Sequence, residues 1–232
     1  MIYPNSVPAV ILAGGNSRQF GDDQNAMAPM AGRVVIDHVI ERLQPQCGPM
    51  GVNVTFGPLV DHITDNHPDI TLLPEPYIWN DRGPQAGVRT ALIWAFSLGA
   101  PCVLTVACNT PFLPLDLMCR LLGDMEGQDR FAAAVVQDPF WQPLFSLWRT
   151  EDDRALHKLW RDDPMLDSMV DLVEYFTAAH TPYPAAKDGE IDPFFNINTE
   201  DDLKTAEHWL ARSADASDPS PSTPLSKSEG RG

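Results

Sequence analysis

Pro101 to Ala107 (PCVLTVA) limits the fold more than any other segment, because it is apolar along its length and stops abruptly at Cys108-Asn109-Thr110-Pro111. A strand with apolar side chains on both faces must be covered on both, a condition met by sheets held between helix layers. The rest of the chain keeps to this plan. Val7 to Ala13 is a second such run entering a glycine turn, Val34 to Leu43 has helical spacing, and Gly51 to Phe56 and Ile70 to Leu73 predict strands. Gln85 to Leu98 predicts the best helix, opening just after Gly83-Pro84, and Leu115 to Leu122 predicts another. Ala132 to Val136 and Pro143 to Trp148 predict strands around an aromatic turn, QDPFWQ. Arg154 to Trp160 predicts a helix, Val173 to Phe176 an edge strand, and Thr199 caps a last helix with an acidic first turn running to Leu210. Short strands alternating with helices imply a three-layer α/β domain with a mostly parallel sheet and helices on both faces. Ligands in such sheets bind outside the carboxyl ends of the strands, which singles out the loops after Ile11, Val54, Leu73, Val106 and Phe195.

Composition narrows the partners. The 232 residues carry a formal net charge of −16 with no basic cluster, which excludes a duplex nucleic-acid binder or an anionic-membrane surface protein. Hydrophobic residues make up 44%, enough for a real core, yet no apolar stretch approaches the roughly 20 residues that span a bilayer. The N-terminus lacks a basic region followed by a long apolar one, so a cytoplasmic location is expected. Cys47, Cys102, Cys108 and Cys119 form no C-x-x-C pair and read as buried, reduced thiols. Residues 213–232, rich in Ser and Pro, read as a disordered tail after a domain spanning 1–212.

Four loop segments carry the chemistry. Leu12-Ala13-Gly14-Gly15-Asn16-Ser17-Arg18 follows the first strand, where paired glycines let backbone N–H groups approach a nucleotide; the spacing matches neither G-x-G-x-x-G nor G-x-x-x-x-G-K-[ST]. Arg82-Gly83-Pro84-Gln85-Ala86-Gly87 tips into a helix N-terminus, which favours an anion or acceptor. Cys108 to Pro114 leaves the central strand, and Asp192 to Thr199 (DPFFNINT) offers Asn196 and Asn198 on one face if that segment is extended. Elsewhere, Trp94, Trp148, Trp160 and Trp209 read as core, while Trp79 and Trp141 lie in loops where they could stack on a planar ring. His62 and His67 are five residues apart, a spacing that does not match zinc ligands, and read as a surface helix end.

Taken in order, LAGGNS, RGPQAG, CNTPFLP, QPLFSLW and FNINTEDDL resemble the motifs of the molybdenum cofactor guanylyltransferase family, a branch of the nucleoside-diphospho-sugar transferase-like nucleotidyltransferases with a Rossmann-like fold. The resemblance covers roughly residues 7–210. It implies transfer of GMP from Mg-GTP to Mo-molybdopterin, giving the guanine dinucleotide cofactor and pyrophosphate. In that scheme Leu12, Ala13, Gly14 and Gly15 would line guanine and ribose, and Asn53 would contact the nucleotide. Gly83, Pro84 and Gly87 would shape the base pocket, while Gln142 with Asn196 and Asn198 would face the pterin. Such transfer depends on positioning and charge neutralisation.

The chain departs from that pattern where the phosphates would lie. The motif implies an arginine and a lysine at positions held by Gln19 and Asn25, and a Mg²⁺-binding aspartate at Asn109; a nucleotide-contacting aspartate falls at Pro76, beside Glu75. Arg18 is the nearest replacement cation, so Arg18, Asn25 and Asn109 are the expected catalytic positions, with Asn109 the metal position and Mg²⁺ held weakly or lost. The function implied is a guanylyltransferase acting on GTP and molybdopterin as a monomer. The alternative is a catalytically impaired paralogue that binds the molybdopterin cofactor, or a partner such as a molybdoenzyme or biosynthesis protein, without turnover.

Overall fold

The computed structural model describes residues 2–14, 25–55, 57–76, 79, 82–126, 132–137, 140–162, 168–176, 178–187 and 189–217. Nine strands and seven helices of four or more residues, or paired strand bridges, follow in order among these: β1 Ala9–Leu12, β2 Pro29–Met30, β3 Arg33–Val34, α1 Val35–Leu43, β4 Met50–Val54, α2 Pro58–Asn66, β5 Thr71–Pro74, α3 Pro84–Ser97, β6 Cys102–Ala107, α4 Leu117–Met125, β7 Ala132–Gln137, β8 Phe140–Arg149, α5 Asp152–Asp162, α6 Met169–Tyr175, β9 Ala179–Tyr183 and α7 Glu200–Ser217. Seven strands form one sheet in the order β5-β4-β1-β6-β8-β7-β9, with β8 alone running against the others. β2 and β3 form a separate small hairpin. The expected mostly parallel α/β architecture is what the chain adopts.

Alternation along β1 shows how the two layers arise. Ala9 and Ile11 point into a core shared with α1, α2 and α4, while Val10 and Leu12 point into one shared with α3, α5 and α6. β6 is buried at every position, as its apolar run requires. Its one hydroxyl, Thr105 Oγ1, donates to Ser146 O at 3.3 Å and accepts from Trp148 Nε1 at 3.0 Å, so no polar atom is stranded there. A third, smaller core joins α7 to the β2–β3 hairpin through Met30, Phe112, Ile197 and Ala206.

Three expectations are corrected. Val173 to Phe176 is not an edge strand: Ser168 Oγ accepts from the Val170 and Asp171 amides and starts α6, which buries Met169, Leu172 and Val173 at helical spacing. The edge is β9, whose Pro182 costs no ladder bond on an outer strand. Trp141 and Gln142, read as part of a turn, lie within β8. The last helix runs past Leu210 to Ser217, into the segment read as a tail; residues 218–232 lie outside the described residues. Thr199 caps α7 as expected: its Oγ1 accepts from Asp202 N at 3.1 Å while Asp202 Oδ2 accepts from Thr199 N at 2.9 Å.

Candidate functional site

The carboxyl ends of four neighbouring parallel strands open onto one cleft of about 140 Å³. Leu12, Ala13 and Gly14 leave β1, Asn53 sits near the end of β4, Glu75 follows β5, and Cys108 and Asn109 follow β6. Pro84 at the start of α3 closes one side, and Asn25 and Asn198 the other. The floor is built by close approach. A Cβ on Gly87 would lie 2.7 Å from Asn53 Oδ1 and 2.9 Å from Leu12 Cδ2, so only glycine lets α3 sit this near the sheet. A Cβ on Gly14 would lie 2.3 Å from Glu75 Oε1, which places that carboxyl directly over the first loop.

Asn53 is 1% exposed; its Nδ2 donates to Leu73 O at 3.2 Å, and the backbone carbonyl accepts from Ala13 N at 3.1 Å. These bonds tie the β1, β4 and β5 ends into one rigid rim. Burial pushes the Glu75 carboxyl above its ordinary value, with the Asn53 side chain acting in the opposite direction. Glu75 is the one carboxylate among the described residues lining the cleft, and no lysine or arginine is among them.

Asn25, Asn109 and Asn198 form an amide cluster. Asn25, 3% exposed on a short 3-10 turn (Asn25–Met27), donates from Nδ2 to Ile197 O at 3.0 Å and Asn198 Oδ1 at 3.4 Å. Asn109 Nδ2 donates to the same two acceptors at 3.1 and 3.0 Å, and its carbonyl accepts from Ile197 N at 2.9 Å. The cluster is neutral, and an amide oxygen is a weaker partner for Mg²⁺ than a carboxylate. The described residues around Asn109 therefore do not fit a resident Mg²⁺ ion.

The remaining expected residues are scattered more widely. Gly15, Arg18 and Gln19 lie outside the described residues. Gly83 precedes Pro84 at the cleft wall, whereas Gln85 is buried beneath it, accepting from Trp160 Nε1 at 2.7 Å. Asn196 is not in strand and does not share the cleft with Asn198: its Oδ1 accepts from Thr110 Oγ1 at 3.0 Å. Gln142 Nε2 donates to Gln137 Oε1, whose Nε2 in turn donates to Asp192 Oδ1, a polar chain beside the cleft. Trp79 is engaged by Arg89 at 4.3 Å and by Trp160, and Trp141 by His180 at 4.6 Å. Sequence reasoning included Cys108 only as the start of the Cys108–Pro114 segment and missed Leu144 as a lining residue. The signal for Leu144 was the period-two alternation of β8.

Residues 9–178 match the model of the MobA-like NTP transferase domain. A molybdenum cofactor guanylyltransferase of Sinorhizobium fredii is 36% identical, with 90% of this chain and 94% of the relative covered. One of Rhizobium leguminosarum bv. trifolii is 32% identical, covering 89% and 94%. Among solved structures, molybdopterin-guanine dinucleotide biosynthesis protein A of Archaeoglobus fulgidus superposes with a TM-score of 0.68 at 20% identity, over 89% of this chain and all of that one. The 4-diphosphocytidyl-2C-methyl-D-erythritol synthase of Anaerococcus prevotii superposes at 0.64 and 13% identity, covering 90% and 97%. The last two establish the fold. The match of the family model over residues 9–178, together with 36% identity to a relative covered to 94%, makes the chain a member of the MobA-like NTP transferase family.

Proposed function

We propose that this chain transfers GMP from Mg-GTP to Mo-molybdopterin, with the terminal phosphate oxygen of the pterin attacking the α-phosphorus and the bond to the β-phosphate breaking to release pyrophosphate. The observation that carries the reading is the convergence of the first-loop glycine, Asn53, Glu75 and Pro84 on one cleft at the strand ends. Asn53 and Glu75 recognise the base: a carboxylate facing the rim is the natural acceptor for guanine N–H groups. Leu12, Ala13, Gly14 and Gly15 cradle base and ribose, with Gly83, Pro84 and Gly87 setting the wall height. Asn25 and Asn109 contact the phosphates through neutral amides, and Arg18 supplies the cation. Gln142, two residues from Leu144 on β8, and Asn198 face the pterin. Mg²⁺ enters with the nucleotide as part of the substrate.

One observation favours a second reading, binding without turnover: the Asn25–Asn198–Asn109 cluster offers no charge to a triphosphate. Losing a single preorganised donor costs roughly 2.7–4 kcal/mol of transition-state stabilisation. Mixing the chain with Mg-GTP, with and without molybdopterin, and measuring pyrophosphate separates the two. Pterin-dependent release at more than stoichiometric yield supports transfer. Stoichiometric pterin binding with no pyrophosphate supports the second reading, and failure to bind either ligand refutes both.

A further inference from the structure

Away from the cleft, Asp37 from the first turn of α1 meets His62 from the middle of α2 and His67, the residue that follows that helix. His62 Nε2 lies 2.7 Å and His67 Nε2 2.8 Å from the same oxygen, Asp37 Oδ1. The three side chains are 17%, 20% and 13% exposed, so they are held in a recess yet open to solvent. The histidines are five positions apart, but α2 ends at Asn66 and His67 leaves the helical path (φ −133°, ψ 59°), which swings its ring back toward that of His62; the ring centroids are 5.7 Å apart. The helix end defeats the spacing argument that treated the two as unrelated.

We propose that Asp37, His62 and His67 form a binding site for a transition-metal dication of the Zn²⁺ class, separate from the nucleotide cleft. Two imidazole nitrogens and one carboxylate oxygen, all within 4.8 Å of one another, are a three-ligand set that leaves a fourth, tetrahedral position to water. Nitrogen donors select this class over Mg²⁺ and Ca²⁺, which take oxygen ligands. Zn²⁺ bound at about 2.0–2.1 Å to each ligand separates them by about 3.3 Å, so the site opens by about half an ångström as the two hydrogen bonds give way to coordination. Each ring proton then moves to Nδ1. Arg33, whose Nη2 donates to Asp37 O at 3.1 Å and whose Nη1 pairs with Glu41, borders the site without closing it. Both α1 and α2 pack against the turn that carries Asn25, so the ion braces the element behind one wall of the cleft.

The test uses the full chain without a histidine tag. Zn²⁺ binding is measured by competition with a chromophoric chelator, and Co²⁺ serves as a spectroscopic probe of the ligands. Expected is one ion per chain, a raised thermal midpoint with Zn²⁺, and a loss of affinity of more than about 100-fold in both Asp37→Asn and His67→Gln. Circular dichroism of the metal-free variants checks that each folds, and either folded variant suffices. Cys119→Ser leaves binding unchanged, and the Co²⁺ spectrum shows no thiolate charge-transfer band. Substoichiometric binding by the wild type, equal affinity in a folded variant, or a thiolate band overturns the proposal.

Discussion

Two glycines inside helices give opposite expectations for the same substitution. Gly87 lies in α3 and Gly123 in α4. Alanine is preferred over glycine in a helix interior by roughly 0.5–1 kcal/mol, so propensity alone stabilises both variants equally. A Cβ at Gly123 meets nothing within 4 Å. A Cβ at Gly87 meets Asn53 Oδ1 at 2.7 Å and Leu12 Cδ2 at 2.9 Å; the end of the Leu12 side chain can shift, but the Asn53 amide is buried and bonded to Leu73 O and cannot retreat cheaply. Overpacking of this kind costs about 1–3 kcal/mol. Because propensity cancels between the variants, Gly87→Ala should be less stable than Gly123→Ala by about that amount. At about 2–4 °C per kcal/mol for a chain of this size, the difference is readily resolved by thermal melts followed by circular dichroism. Displacing Asn53 should also weaken GTP binding about tenfold, the equivalent of one hydrogen bond. If both variants melt above the wild type by the same margin, α3 does not approach the sheet as described, and the floor of the cleft is wrong.

Replacing Asn25 with Lys and Asn109 with Asp together should strengthen Mg-GTP binding by about tenfold or more, since charge-assisted hydrogen bonds contribute about 1.5–3 kcal/mol; unchanged affinity by titration calorimetry refutes the placement of the phosphates. Glu75 holds its proton to higher pH in the folded chain than in the unfolded one, so its contribution to stability is full below the ordinary carboxylate range and is lost as pH rises through the raised value. Urea titrations of Glu75→Gln across that range should show this fall in stability removed, and an unaltered pH profile would contradict it. Burial pushes Cys47 and Cys108 up to about 12 and Cys102 up to about 11, but Cys119, expected to be buried, is exposed on α4, so under native conditions a thiol reagent should label it first; mass spectrometry finding Cys47 or Cys102 modified as quickly would refute the burial described.

How far residues alone lead depends on whether the governing interaction is local. β6 was readable because burial on both faces leaves a run of apolar residues, and α7 because its cap is contained within four residues, Thr199 to Asp202. The segment 173–176 misled because β-branched and aromatic residues suit a strand, while the deciding signal was one hydroxyl upstream, at Ser168. The glycine turns located the cleft, since a close approach needs the same residue wherever its partner comes from. Nothing local, however, announced that Asp37 would meet His62 and His67, because that meeting depends on how two helices pack.

The amide cluster is long-range in the same sense, and its geometry couples any substitution at 25 to one at 109. Ile197 N donates to Asn109 O, which folds the 196–198 loop back over the end of β6 and places Ile197 O and Asn198 Oδ1 before the Asn109 side chain. Both are acceptors. An aspartate at 109 alone would set a carboxylate against two oxygens now about 3 Å from an amide nitrogen, and a lysine at 25 alone would put an unpaired cation where the present side chain is 3% exposed. Each single change is therefore costly, by the several kcal/mol that separate a buried lone charge from a paired one, whereas the two together offset each other across the shared acceptors. The neutral amides at 25 and 109 are one coupled feature, and a double-mutant cycle on stability should give a favourable interaction energy of at least about 1 kcal/mol; additive single effects would show that the two side chains do not meet at Asn198.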